Sequence, residues 1–180
     1  MRRLQTRQHI TLDCEAMSKA SDVAGQLRAV VDEGVRVFER VPEAATAARP
    51  APDKWCAREI IGHLIDSACN NHRRFVINQD AEALVMDSYA QNEWVARQRY
   101  REIAASELVP LWAAYNGQLA RVIEAIPDDV LERPRGRMGG RRFPYFACPQ
   151  TAFVTLGYVV DDYVGHIRHH LRQIQSMLAI

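Results

Sequence analysis

Apolar residues along this chain recur at steps of three and four, the spacing of one face of an α-helix. Over residues 21–41 the recurring positions are Val23, Leu27, Val30, Val31, Phe38 and Val41, with Ser21 placed to cap the start and Pro42 to stop the helix. A Pro- and Ala-rich connection, PEAATAARPAP, follows. Asp53 then caps a second helix over 54–79, with Ile60, Ile61, Leu64, Ala68, Phe75 and Val76 as its buried stripe. A shorter helix is predicted over 88–101, carrying Trp94 and Tyr100. Ser106 opens a third long helix reaching Ile126, with Pro110 tolerated in the first turn. Its stripe is Leu108, Leu111, Trp112, Tyr115, Leu119, Val122 and Ile126. Residues 133–150 read as a loop rich in Gly, Pro and Arg, with no convincing pair of strands. A last long helix over 151–178 carries Leu156, Val160, Tyr163, Val164, Ile167, Leu171, Ile174 and Leu178.

Four long amphipathic helices without an internal repeat predict an all-α protein, a four-helix bundle. The segment 80–106 is long enough to cross the bundle, which opens an up-down-down-up order with a short extra helix in the crossover. A length of 180 residues suits one domain with a sizeable core. The bundle is expected over 18–180, preceded by a loosely ordered extension over 1–17.

Composition narrows the function classes. Hydrophobic residues make up 48% and charged residues 25%, ordinary for a globular chain, and the formal net charge is +1. No bulk electrostatic attraction to nucleic acid or an anionic membrane follows, so neither is expected as a partner. No apolar run reaches the ~18 residues of a membrane span. The N-terminal MRRLQTRQHITLDCEA is basic but has no apolar stretch of the signal-peptide kind. Cys14, Cys56, Cys69 and Cys148 show no C-x-x-C spacing, which suits reduced thiols and a cytoplasmic protein.

The chemistry concentrates in histidines. The last helix contains GHIRHH. Successive helical residues rotate by about 100°, so with Ile167 at the buried centre His170 falls about 60° and His166 about 100° to one side. His169 falls opposite, toward solvent. His166 and His170 thus form an i, i+4 pair, the geometry of H-x-x-x-H metal sites. In isolation such a pair is more often two half-buried histidines satisfied by hydrogen bonds. On the second helix Cys56, Glu59, His63, Asp66, Ser67 and Asn70 share one sector bordering the apolar stripe. Buried polar groups there need partners, and a metal or a water network supplies them. A solvated groove flanked by Glu59 and Asp66 is the plainer alternative. Three neutral imidazoles leave coordination positions open, as at a catalytic rather than a structural metal. Imidazole suits Zn²⁺, Ni²⁺, Co²⁺ or Fe²⁺ alike. Asp66 and Asp162, near His63 and His166, are candidates to orient an imidazole or to act as a base, and both also fit solvated acids.

The remaining features carry two readings each. Cys56 is either a reactive thiolate near the site or a small buried residue. Arg133, Arg135, Arg137, Arg141 and Arg142 either clamp an anionic substrate or form a solvated basic loop. Trp55, Trp94 and Trp112 read as packing residues.

The segments KWCAREIIGHLIDSACNNHRRFV, SYAQNEWVARQRY and GHIRHHLRQI, in this order, resemble the DinB-like superfamily of bacterial metalloenzymes over about residues 20–178. The resemblance implies an up-down-down-up four-helix bundle, often a homodimer. It implies one divalent ion, usually Zn²⁺ or Ni²⁺, held at positions matching His63, His166 and His170. By analogy Asn92 and Trp94 reach the mouth of the site. Characterised members resemble one another in activating low-molecular-weight thiols, as bacillithiol transferases and mycothiol-dependent maleylpyruvate isomerase do. The expectation is a metal-dependent thiol transferase or hydrolase acting on a small electrophilic substrate, with a low-molecular-weight thiol as a potential cosubstrate. The alternative is a non-catalytic stress-response or scaffold module whose metal site is structural or vestigial.

Overall fold

The structure, a computed structural model, describes residues 19–136, 145 and 154–178. Among these the elements are α1 (Ala20–Glu39), α2 (Glu43–Thr46), α3 (Ala57–Ile77), α4 (Gln91–Gln98), a 3-10 turn (Tyr100–Glu102), α5 (Ala105–Glu124), α6 (Asp128–Glu132) and α7 (Leu156–Leu178), with no strand. The expected extension over 1–17 lies outside the described residues, as do Arg137, Arg141, Arg142 and Cys148.

Side-chain contacts fix the directions of the four long helices. Arg28 reaches Glu124, while Gly34 lies against Trp112, so α1 and α5 are antiparallel. Arg58 donates to the Arg101 carbonyl just before α5 (3.2 Å), and His72 meets Tyr115 further on, so α3 and α5 are parallel. His63 meets His170 and Phe75 meets Tyr163, both edge to face, so α3 and α7 are antiparallel. Gln26 pairs with Arg168 and Gly34 with Leu171, which sets α7 alongside α1 in the same direction. The order is up-down-down-up, with α1 and α3 on one diagonal and α5 and α7 on the other. Parallel α3 and α5 require a return along the bundle, and residues 78–104 supply it, bringing α4 and the 3-10 turn against α3. No described helix is long and apolar enough to cross a membrane.

The helix starts differ from the sequence expectations. Ser21 lies inside α1; the N-cap is Lys19, and the Ala20 N–H is taken by Asp128 from α6 (3.1 Å). Asp53 does not cap α3. Cys56 does, in a capping box whose Glu59 carboxylate accepts the Cys56 N–H (2.9 Å). Ala104, not Ser106, precedes α5, and Glu43 of α2 takes the Ala105 N–H (2.7 Å) and the Ser106 N–H (3.3 Å). Acidic side chains borrowed from elsewhere thus satisfy the free N–H groups and the positive end of the dipole at α1 and α5. Pro110 sits beyond the first turn of α5, on the exposed side, where the carbonyl that loses its helical partner is open to solvent.

Other differences concern length and facing. The expected helix over 88–101 is shorter, because Arg99 turns left-handed (φ 56°) and ends α4. The last helix begins at Leu156 rather than 151, with Thr155 Oγ1 accepting the Tyr158 N–H (3.3 Å) as an N-cap does. Val76 and Leu111, placed in buried stripes, are 47% and 55% exposed. The buried face of α5 is rotated to Leu108, Val109, Trp112, Asn116, Leu119 and Ile123, because α5 packs between α1 and α3. The remaining stripe of α7 packs as expected, with Leu156, Val160, Val164, Ile167 and Ile174 fully or nearly fully buried.

Candidate metal centre

His63 lies in the second turn of α3, and His166 and His170 occupy successive turns of the antiparallel α7. His63 and His170 are buried, His166 is partly buried, and His169 is exposed. The ring centroids of His63, His166 and His170 lie 4.6–5.1 Å apart. One ligand nitrogen from each lies within 4.8 Å of the others, and Nε2 of His63 is 3.1 Å from Nε2 of His166. Zinc–nitrogen bonds of about 2.0–2.1 Å in a tetrahedral arrangement put ligand nitrogens roughly 3.3 Å apart. The His63–His166 pair is already near that separation.

The opposite edge of each ring has its own oxygen partner. Ser67 Oγ lies 3.2 Å from His166 Nδ1, Gln173 Oε1 lies 2.9 Å from His170 Nδ1, and the Tyr89 hydroxyl lies 3.5 Å from His63 Nδ1. A proton on His170 Nδ1 would be accepted by Gln173 Oε1 and would leave the Nε2 lone pair for a metal. Oxygen partners of this kind orient metal-binding imidazoles. Burial, reinforced by His170, holds His63 at about 4, far below the usual imidazole range. His166 is lower still, through burial and then the neighbouring imidazoles. Burial also lowers His170, although Gln173 works the other way. All three rings are neutral near pH 7, the state in which imidazole binds a metal. The donor set, spacing and protonation therefore fit one divalent ion.

A cavity of about 360 Å³ opens beside His166 and His170 and reaches Ser67, Arg74, Tyr89 and Asp162. Trp55, read from sequence as packing, has its ring 5.1 Å from that of His63. Trp94 touches Tyr89 (4.9 Å), whereas Asn92 is exposed and lines a separate hollow with Trp55 and Glu59.

The two candidate carboxylates part company. Asp162 lines the cavity, and its Oδ1 accepts the Tyr145 N–H (2.7 Å). Asp66 is buried and turned toward the crossover, where Oδ1 accepts from Tyr100 (2.7 Å) and Gln98 (2.6 Å). Its Oδ2 is buried without a hydrogen-bond partner among the described residues, and burial outweighs those two bonds in raising the carboxyl above its usual range. Cys56 is fully buried and burial raises its thiol, so the reactive-thiolate reading fails and the capping role stands. Arg135 is likewise structural: buried, it donates to the carbonyls of Asn78, Ala81 (2.6 Å) and Val130 (3.2 Å). Arg133 is exposed.

Sequence reasoning missed Tyr89, Gln173 and Arg74. Gln173 had a local signal, three residues after His170. Tyr89 had a signal as the tyrosine of the SYAQNEWVARQRY segment, but its place beside His63 follows only from the path of the crossover.

The model of the "DinB superfamily" matches residues 26–174. The protein named "Putative metal-dependent hydrolase YfiT" from Bacillus subtilis is 23% identical over 158 residues, 81% of this chain and 83% of that one. "Putative metal-dependent hydrolase OB0782" from Oceanobacillus iheyensis is 25% identical over 123 residues, 68% of this chain and 64% of that one. Among solved structures, Bacillus subtilis YfiT, described as having an unusual four-helix bundle topology, superposes with a TM-score of 0.72 at 19% identity, covering 91% of this chain and 89% of that one. A Streptococcus pneumoniae protein gives a TM-score of 0.59 at 14% identity, covering 91% and 93%.

Proposed function

This chain belongs to the DinB superfamily, and from that premise we propose that it is a metal-dependent enzyme, a hydrolase or thiol transferase acting on a small electrophile. The observation that carries this reading is the convergence of His63, His166 and His170 from two helices, each with its far nitrogen near an oxygen partner. His63, His166 and His170 would hold a divalent ion, Zn²⁺ or Ni²⁺ first among the choices, which would supply the Lewis acidity to activate a water or thiol and an electrophile. The names of the two bacterial relatives support hydrolysis. Thiol transfer rests on the sequence resemblance described above, with a low-molecular-weight thiol as cosubstrate.

The chain's own residues have separable tasks in this reading. The three imidazoles would hold the ion, and two of them, His166 and His170, line the cavity. Asp162, on the cavity wall one turn from His166, accepts the proton of the nucleophile. Asp66 acts at a distance, holding Tyr100 and Gln98 and so the crossover that carries Tyr89 to His63. Ser67 and Gln173 keep the rings aimed.

The test is a screen of zinc- and nickel-loaded protein against small esters and amides, and against monochlorobimane with bacillithiol, mycothiol or glutathione. Turnover that chelation removes, metal restores and His63→Ala abolishes supports the enzyme. A chain that binds metal yet turns over none of these classes favours the scaffold reading.

A further inference from the structure

The cavity has a second end, away from the imidazoles. Along α3, His63, Ser67, Asn71 and Arg74 follow one another at steps of four, four and three, one face of the helix over about 16 Å of rise. Across from them the antiparallel α7 presents His170, His166, Asp162 and Val159. Seven of these eight, all but His63, line the cavity, which therefore runs as a trough from the imidazoles to Arg74. A long helical side chain leans toward the N-terminus of its helix, which brings the guanidinium back along the trough toward the histidines.

Arg74 is a partly buried cation with unspent donors. It donates to Asn71 Oδ1 (3.3 Å) and to the backbone carbonyl of Asp87. A guanidinium has five N–H groups, so three have no acceptor among the described residues. No carboxylate lies within 4.0 Å of it among the described residues. The two acids that act on it from further off, Asp87 and Asp162, are engaged elsewhere: Asp87 pairs with Arg73, and Asp162 takes the Tyr145 N–H. Arg135, a buried guanidinium of this region, differs in being ringed by backbone carbonyls. A cation withdrawn from water without an anion is costly, and a planar fork facing a cavity matches a carboxylate.

We propose that Arg74 recognises the substrate: a small, extended molecule whose reacting group lies at the three imidazoles and whose far end carries a carboxylate seated on the Arg74 guanidinium. This rests on the metal-site reading, and it adds the substrate class. The volume of about 360 Å³ admits a short chain and excludes a folded polypeptide.

The test uses zinc-loaded full-length protein and straight-chain hydroxamic acids, whose hydroxamate binds the ion, ending either in a carboxylate or in its methylamide. At one chain length the carboxylate should bind about tenfold or more tightly than the amide. Arg74→Gln should erase that preference, and Arg74→Lys should keep part of it. Acetohydroxamate, too short to reach Arg74, should bind all three proteins equally, and zinc affinity should be unchanged. Normal zinc and acetohydroxamate binding with no carboxylate preference at any length overturns the role of Arg74 alone. Loss of zinc and of every hydroxamate in the unmodified protein overturns the metal reading, and this one with it.

Discussion

The ring of Tyr100 lies against Gly62 so closely that a Cβ on Gly62 would come within 2.1 Å of two ring carbons. The hydroxyl of the same ring donates to Asp66 (2.7 Å), one turn further along α3. Two adjacent turns of α3 thus hold the crossover in place, and the crossover in turn delivers Tyr89 to His63.

Gly62→Ala should therefore be costly although Ala is the better helix former. The clash involves the base of a buried ring rather than a free side-chain tip, and overpacking of this kind costs about 1–3 kcal/mol. Urea denaturation should show a lower midpoint with an unchanged slope. An unchanged or raised midpoint would mean that the crossover yields freely.

Much of this was readable from residue spacing. The i, i+4 relation of His166 and His170, the exclusion of His169, and the polar sector on α3 follow from helical rotation alone; His169 is exposed while the rings of His166 and His170 lie 4.6 Å apart, and Glu59, His63, Asp66 and Ser67 of the sector are buried. The helix starts were not readable. Asp128 capping α1 and Glu43 capping α5 are separated from their targets by 108 and 62 residues, and local cap rules see only neighbours. Leu111 misled because it continues an apolar spacing that the diagonal placement of α5 turns outward. Arg74 was hidden because a cation on a helix face looks solvated until the facing helix is known.

Ser67→Ala and Gln173→Ala should weaken zinc binding with little effect on folding. Loss of an oxygen partner behind a metal-binding imidazole typically costs 10- to 100-fold in affinity. Competition with a fluorescent zinc chelator measures this, and circular dichroism checks the fold. Affinity equal to that of the unmodified protein would show that the imidazoles are held by packing alone.

Asp161 gives a dependence on pH. Burial raises its carboxyl from 3.8 to about 6, against a smaller opposing effect of Arg168. Below the unfolded value the group is neutral in both states and carries no penalty. Above the folded value it is ionised in both, and only the folded state bears the desolvation. Stability should therefore fall as pH rises from about 4 through about 6. Asp161→Asn should stabilise the protein on the order of 1–2 kcal/mol at pH 7.5 and not at pH 3.5. Melting curves at the two pH values check the sign, and equal effects at both would remove the carboxyl's charge as the cause.

The central claim is that α3 and α7 hold one ion between them. The most direct measurement is elemental analysis of tag-free protein after zinc loading and gel filtration, on the native sequence and on His63→Ala. One ion per chain in the native protein and a near-complete loss in the folded variant is the predicted result. Full occupancy in His63→Ala, or none in the native chain, would contradict it.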